Sequence, residues 1–118
     1  MLLAAGKSTR FKAKENKLLS KLKHKTILEH NIEQIIKIGF KKITLVFRSR
    51  SSLNNINKYK IEFIKGGKTR ALSVKNALIK SKKRAKYVFI HDAARILKSE
   101  KLLKRLINET YKDKFDCI

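Results

Sequence analysis

Short apolar runs alternate along this chain with segments of helical periodicity, and that alternation restricts the fold more than any other feature. The runs with strand-like patterns are Met1–Ala5, Lys42–Phe47, Tyr59–Ile64, Lys86–Ile90 and Phe115–Ile118. The segments with helical patterns are 26–39, 70–80 and the stretch that begins at Ser99. Strands alternating with helices are typical of a parallel sheet, because parallel neighbours need a crossover connection. The sequence therefore predicts one α/β domain over residues 1–118, with a mainly parallel sheet and helices on both faces.

The first helix has a signal at each end. Thr26 and Glu29 form a capping-box pattern, and Gly39 follows the last residue with helical spacing. The residues that precede this helix, 7–25, are polar and basic, and we expect them to form a long loop with a little structure. Loops of this length inside a compact domain are usually functional.

Three polar clusters come directly after predicted strands. They are Gly6–Lys17, Gly66–Ser73 and His91–Arg95. In parallel α/β sheets, ligands bind beyond the carboxyl ends of the strands. We therefore expect the three clusters to converge on one crevice.

The first cluster has the composition of a nucleotide triphosphate site. Two alanines and Gly6 allow backbone N–H groups to approach a ligand closely, and Lys7, Arg10 and Lys17 supply positive charge where a polyphosphate would lie. The alternative is an ordinary surface loop in a lysine-rich protein, because short glycine-containing loops have low specificity.

The charge balance is strongly basic, with 31 Lys and Arg against 9 Asp and Glu, a net charge of +22. Such a charge attracts nucleic acids, anionic membranes or phosphorylated substrates. Drift in an adenine- and thymine-rich genome is an alternative origin, since the chain is rich in Lys, Ile and Asn and contains no Pro. A nucleic-acid-binding module is disfavoured, because the lysines are scattered and the aromatic residues form no stacking platform.

The remaining composition predicts a cytoplasmic protein. The single Cys117 leaves no partner for an internal disulfide, which fits a reducing compartment, and we expect it to be buried and inert. No apolar run approaches the roughly 20 residues of a membrane span. The apolar start of the chain is too short for a secretory signal.

The motifs together resemble a known family, the methylerythritol-phosphate cytidylyltransferases of the non-mevalonate isoprenoid pathway. The matching stretches, in chain order, are Leu3–Arg10 with Lys17, Thr26–His30, Gly66-Gly67 with Arg70, Ser73 and Val74, and His91–Arg95. His-Asp-Ala-Ala-Arg is the most discriminating of these. The ordered set extends over almost the whole chain.

The resemblance implies a Rossmann-like three-layer nucleotidyltransferase domain, of which this chain resembles the N-terminal half and is truncated at the C-terminal side. It implies transfer of a cytidylyl group from CTP to methylerythritol phosphate, which gives CDP-methylerythritol and pyrophosphate, with Mg²⁺ on the triphosphate. It also implies a homodimer for the full-length protein. Neither a membrane nor a nucleic acid is expected as a partner.

The resemblance also implies roles for individual residues. Arg10 and Lys17 correspond to the catalytic cations. The positions that match the nucleotide-binding residues are Ala4, Ala5, Gly6, Lys7, Ser8, Gly67, Ser73, Asp92 and Ala93. Asp92 resembles the acidic residue near the ribose and the metal, whereas Arg70 and Arg95 either contact substrate phosphate or tie loops together. His91 is interpreted as a structural histidine.

Alternative interpretations of the same motifs stay open at this point. A ribitol-phosphate cytidylyltransferase has a similar first loop and similar architecture, and the molybdopterin type fits less well because of the His91–Arg95 stretch. An inactive truncated remnant and a basic nucleic-acid-binding module are the others. A preference for CTP over other triphosphates separates the cytidylyltransferases from an inactive remnant and from a nucleic-acid-binding module, but it does not identify the sugar-alcohol phosphate.

Overall fold

The computed structural model describes residues 1–5, 18, 20–48, 53, 56–81, 85–96 and 99–112. In chain order its elements are β1 (Leu2–Leu3), β2 (Lys21–Leu22), β3 (Lys25–Thr26), α1 (Ile27–Ile38), β4 (Ile43–Phe47), β5 (Ile61–Lys65), α2 (Arg70–Ser81), β6 (His91–Asp92) and α3 (Glu100–Tyr111). This order agrees with the predicted alternation.

Four of the described strands form a parallel sheet in the order β5-β4-β1-β6. Leu2 lies opposite Leu45 on one side and His91 on the other. The chain thus brings its first strand to the middle of the sheet, between two strands that follow much later. The prediction of an α/β fold with a mainly parallel sheet is confirmed.

Side chains of the sheet point alternately into two apolar layers. On one face, Leu2 and Leu45 belong to a cluster that also contains Leu103 of α3 and the buried α1 residues Leu28, Ile32 and Ile35. On the other face, Leu3 and Val46 pack with Ala77 of α2. Because neighbouring residues of a strand face opposite sides, one short strand contributes to both layers. The described residues therefore form helix, sheet and helix layers.

Helix α1 begins and ends where the sequence predicts. Thr26 Oγ1 accepts a hydrogen bond from the backbone N–H of Glu29 at 3.2 Å, and the backbone N–H of Thr26 donates to Glu29 Oε2 at 2.9 Å. Gly39 closes the helix with a φ of 105°, in the left-handed region that favours glycine. The sequence signals and the structure thus agree at both ends.

Replacing Glu29 by Ala is expected to lower the free energy of unfolding by about 1 kcal/mol at neutral pH. The backbone N–H of Thr26, together with Lys58 and the Thr26 hydroxyl, holds the pKa of the buried Glu29 carboxyl below its usual value of 4.5. A lowered pKa in the folded state means that the carboxylate contributes its full stabilisation above about pH 4.5 and loses it as the pH falls.

Chemical denaturation of the wild type and of Glu29→Ala between pH 7 and pH 3 measures this difference. The two stabilities should converge below pH 4.5. Glu109→Ala is the control, because its carboxylate pairs with Lys112 on the surface and such pairs contribute little. A difference that stays constant down to pH 3 would contradict the assigned role of the carboxylate.

The strand predicted at Lys86–Ile90 is wrong in its position, since the paired residues are His91–Asp92. The backbone N–H of His91 donates to Met1 O, and the amino group of Met1 donates to Phe89 O. The hydrogen bonds to β1 and Met1 thus run from Phe89 to Ala93, later in the chain than the sequence predicts.

Other predictions differ from the structure by smaller amounts or lie outside it. The strand predicted at Tyr59–Ile64 is observed at Ile61–Lys65 and ends at Gly66 as expected. Part of the predicted loop forms the antiparallel hairpin of β2 and β3. The predictions for Phe115–Ile118, including Cys117, lie outside the described residues, and the prediction of one domain over 1–118 stays a prediction. Over the described ranges, no helix is both long and apolar enough to cross a membrane.

Candidate functional site

The residues that follow β1 and β5 approach each other at the carboxyl end of β4, which lies between those strands. The backbone N–H of Ala4 donates to Val46 O at 2.7 Å, and that of Gly66 donates to Phe47 O at 2.8 Å. A Cβ atom at Gly66 would lie only 2.4 Å from the Cβ of Ala5 and 3.0 Å from Ser73 Oγ. Glycine is therefore required at position 66 for the end of β1 to approach the loop after β5.

The loop between β5 and α2 is held by the hydroxyl of Ser73. This hydroxyl donates to Thr69 O at 2.9 Å and accepts the backbone N–H of Gly67 at 3.0 Å. Ser73 is buried. Its hydroxyl thus shapes the turn that presents Gly67.

Thr69 is a further residue of this loop, and sequence reasoning missed it. Its Oγ1 accepts the backbone N–H of Leu72 at 3.1 Å at the start of α2. A threonine one residue before a helical pattern is an N-terminal capping signal that was available in the sequence. The helix start at Arg70 was nevertheless predicted correctly.

Asp92 pairs with two arginines, of which Arg70 joins the second polar cluster to the third and Arg95 belongs to the third. Arg70 directs Nε and Nη2 to Asp92 Oδ1 at 3.3 and 3.2 Å, and Arg95 Nε lies 3.4 Å from Oδ2. The side chains of Arg70 and Arg95 are 67% and 80% exposed, and that of Asp92 is 35% exposed. Pairs this exposed are weak, about 0–1 kcal/mol each, so an incoming ion can displace them.

The turn after β6 is anchored to β1. The backbone N–H of Ala93 donates to Leu3 O at 3.0 Å, and Ala93 is fully buried. His91 Nε2 lies 2.7 Å from Arg95 O, an arrangement that requires the proton on Nε2. The His91 ring also stacks on Phe89. These contacts agree with the interpretation of His91 as a structural histidine.

Asn31 of α1 holds the same turn from the opposite side. Its Nδ2 donates to Ala93 O at 2.8 Å and to Arg95 O at 2.9 Å, and the residue is fully buried. Sequence reasoning missed this residue. The available signal was a polar side chain within the apolar stripe of a helix, between Leu28 and Ile35.

The structure thus brings together the described members of the predicted site. Ala5 contacts the loop that carries Gly67 and Ser73, and Arg70 links that loop to Asp92. Five other predicted site residues lie outside the described residues: Gly6, Lys7, Ser8, Arg10 and Lys17. The convergence of all three clusters on one crevice stays a prediction, because the first cluster lies outside the described residues.

The described part of this site offers a divalent metal one carboxylate, that of Asp92. Within the described ranges, no three His, Cys, Asp or Glu side chains are close enough together to hold an ion. Mg²⁺ commonly binds through one or two carboxylates, with substrate phosphates and water completing its shell. Asp92 fits that mode of binding.

A parallel sheet, with helices on both faces and a polar site beyond the carboxyl ends of its strands, defines an α/β domain of the class that binds nucleotides. The chain belongs to the family of 2-C-methyl-D-erythritol 4-phosphate cytidylyltransferases (IspD), whose family model matches residues 1–117. The resemblance seen in the sequence is therefore confirmed.

Individual relatives agree with this assignment. The chain is 39% identical over 122 residues to the bifunctional enzyme IspD/IspF of Pelagibacter ubique (strain HTCC1062), a match that covers 100% of this chain and 32% of that protein. It is 39% identical over 97 residues to the 2-C-methyl-D-erythritol 4-phosphate cytidylyltransferase of Wigglesworthia glossinidia brevipalpis, covering 78% of this chain and 42% of that protein. The chain thus spans about a third of the length of the bifunctional relative.

Solved structures share the fold. The bifunctional IspDF from Campylobacter jejuni superimposes with a TM-score of 0.82 at 35% identity, over 94% of this chain and 30% of that one. Rv0371c from Mycobacterium tuberculosis H37Rv superimposes with a TM-score of 0.73 at 21% identity, over 92% of this chain and 58% of that one. The second likeness is one of fold alone.

Proposed function

We propose that this chain supplies the nucleotide-binding part of a cytidylyltransferase that transfers a cytidylyl group from CTP to methylerythritol phosphate, giving CDP-methylerythritol and pyrophosphate. Family membership supports the proposal. The observation that carries it is the contact between Arg70 and Asp92, because it joins two separate motifs at one edge of the sheet. The enzyme is proposed to act in the cytoplasm, as a homodimer when full length.

The proposed reaction needs positioning and charge more than covalent help. A phosphate oxygen of methylerythritol phosphate attacks the α-phosphorus of CTP, and the bond from that phosphorus to the bridging oxygen breaks as pyrophosphate leaves. Negative charge grows on the oxygens around the α-phosphorus, and fixed cations stabilise it. Arg10 and Lys17 are the proposed cations.

The loops at the strand ends are proposed to surround the nucleotide. The nucleotide-binding positions proposed for them are Ala4, Ala5, Gly6, Lys7, Ser8, Gly67, Ser73, Asp92 and Ala93. The hydroxyl of Ser73 is already engaged within its own loop, so its role is to shape the backbone near Gly67 for the base. Small side chains at positions 4 to 6 leave that backbone accessible.

Asp92 is proposed to change partners when the nucleotide binds. Without ligand its carboxylate is neutralised by Arg70 and Arg95. With the Mg²⁺ complex of CTP, the carboxylate would contact the ribose or the ion, and Mg²⁺ would supply charge neutralisation on the triphosphate. The two arginines, once released, are free to contact phosphate groups of the substrates.

CTP with Mg²⁺ is expected to raise the melting temperature of the protein more than UTP or GTP with Mg²⁺. Binding to the folded state alone stabilises it by about 2.7 kcal/mol when the ligand is at 100 times its Kd. Thermal denaturation with each triphosphate at equal concentration measures the difference.

Inorganic triphosphate with Mg²⁺ is the control for simple attraction of anions to a chain of charge +22. An equal response to every triphosphate would contradict the cytidine specificity. The absence of any response in a folded sample would contradict nucleotide binding by this chain. A tight duplex interaction that persists at physiological salt would instead favour nucleic-acid binding.

A further inference from the structure

The turn that follows β6 is bonded to a buried side chain from another element. Asn31, on α1, reaches the backbone carbonyls of Ala93 and Arg95 at 2.8 and 2.9 Å across 62 and 64 residues of sequence. Asn31 and Ala93 are both fully buried. These contacts connect the core of α1 to the segment that carries Asp92.

The chemistry of the contact matches asparagine. Both partners are carbonyl oxygens, so each must receive a donor, and a primary amide nitrogen has two N–H donors. Buried carbonyls in folded proteins are nearly always satisfied. An apolar residue at position 31 would remove this donor from both carbonyls, and His91 Nε2 would remain beside Arg95 O alone.

The turn has other anchors, which locate what Asn31 adds, and one of them is His91, whose Nε2 lies 2.7 Å from Arg95 O. Two backbone bonds are the others considered. The backbone N–H of Ala93 bonds to Leu3 O, and that of Arg95 bonds to Asp92 O. The first bond fixes the start of the turn to β1, and the second closes the turn on itself. Asn31 bonds to carbonyls on both sides of Ala94, so it sets the direction in which the turn leaves the sheet.

We propose that Asn31 is a positioning residue, which holds the 93–95 turn and thereby sets Asp92 and Arg95 for binding of a nucleotide with its metal. The identity of the ligand in this inference rests on the proposed function. The claim that Asn31 holds the 93–95 turn in place is independent of that function. Asn31 itself touches no reacting atom, so it acts through the backbone of the turn.

Amide hydrogen exchange of the intact 118-residue chain tests the effect on the turn. Asn31→Leu removes the donors while keeping a side chain of similar size. Exchange of the Ala93 and Arg95 N–H groups should become at least about tenfold faster relative to the Ala4 N–H, which bonds to Val46 on the other side of β1. Ile35→Ala is the matched control, because it opens a cavity in the same helix at a buried residue with no hydrogen bond to the turn.

Calorimetric titration with CTP and Mg²⁺ tests the effect on the ligand, at a temperature where each variant is folded. Asn31→Leu should weaken binding by about tenfold, as is common when a group behind a ligand-binding residue is lost. Ile35→Ala should change it by less than about twofold. Should Asn31→Leu fail to fold, Asn31→Ser retains one donor and should show a smaller shift of the same sign.

The outcomes separate this inference from the proposed function. Equal effects of Asn31→Leu and Ile35→Ala on both exchange and binding would overturn the positioning role. If the wild type itself does not bind CTP with Mg²⁺, the proposed function fails, and the exchange ratio alone decides whether Asn31 holds the turn. Faster exchange without weaker binding in a wild type that does bind CTP would overturn the link to the nucleotide.

Discussion

Replacing Gly66 by Ala is expected to lower the free energy of unfolding by about 1–3 kcal/mol, the range typical of overpacked sites. The added Cβ would lie 2.4 Å from the Cβ of Ala5, which is far inside van der Waals contact, and 3.0 Å from Ser73 Oγ. Ala5 is the second residue after β1 and Gly66 is the first after β5, so the two segments must separate to relieve the clash. Urea denaturation of the variant measures the loss.

A second substitution tests whether the contact with Ala5 is the cause. Ala5→Gly removes the atom that the new Cβ meets, so the double variant should be more stable than the sum of the two single effects by about 1 kcal/mol or more. Gly39→Ala is the control, since Gly39 has nothing within 4 Å and a φ of +105°. Its cost of about 1–2 kcal/mol comes from backbone strain, and Ala5→Gly should not relieve it.

Additive effects of Gly66→Ala and Ala5→Gly would contradict the packing described at the strand ends. The same double variant also bears on the proposed function, because the alanines and Gly67 lie on the two loops that would face the nucleotide. Restored stability should therefore be accompanied by restored thermal response to CTP.

Sequence patterns correctly predicted the helices and strands whose bounds depend on residues close together in the sequence. The capping box of Thr26 and Glu29 and the left-handed Gly39 depend on residues a few positions apart, so α1 was predicted to within a residue. The apolar stretch of β4 was identified for the same reason. The position of β6 was predicted wrongly, because it is set by pairing with β1, which lies about 90 residues earlier in the chain. The residues around β6 do not indicate which of them lie opposite β1.

The site shows the same division between local and distant causes. The contact between the second and third clusters, made by Arg70 and Asp92, could be anticipated, because strand ends are visible in the sequence and parallel strands point the same way. The partners of Asp92 could not be predicted. The sequence around an exposed arginine does not reveal whether its side chain contacts a carboxylate or a phosphate. The structure places both Arg70 and Arg95 on Asp92, and Arg70 thereby links the loop before α2 to the turn after β6, whereas the choice between a structural and a phosphate-binding role stays open.

Asn31 is the clearest example of what sequence reasoning lacks. Its position in an apolar stripe indicates that a polar group is buried, and a buried amide needs partners. The identity of those partners, two carbonyls more than 60 residues away, follows only from the packing of α1 against the turn. The sequence therefore indicates that Asn31 needs buried hydrogen-bond partners, but it does not identify them.

Replacing Lys17 by Ala is expected to lower the rate of pyrophosphate release by about 10²–10³-fold, the usual cost of removing one preorganised group that stabilises charge in the transition state. Lys17 lies outside the described residues, so this prediction rests on its place in the matched motif and on the chemistry of phosphoryl transfer. An ammonium beside the α-phosphate is most valuable when charge grows there, so kcat should fall more than KM rises.

The assay uses CTP, Mg²⁺ and methylerythritol phosphate, with a form of the protein long enough to contain the whole domain. Lys21→Ala is the matched control, because Lys21 is an exposed lysine on β2 only four residues away in sequence. It removes the same charge from the same region of a chain of net charge +22, so a general loss of anion attraction would affect both variants equally. A drop in rate confined to Lys17→Ala, with an unchanged melting temperature, would identify a positioned cation. A rate within tenfold of the wild type would mean that the catalytic cation lies elsewhere in the chain, and Arg10→Ala would then be the next variant to compare.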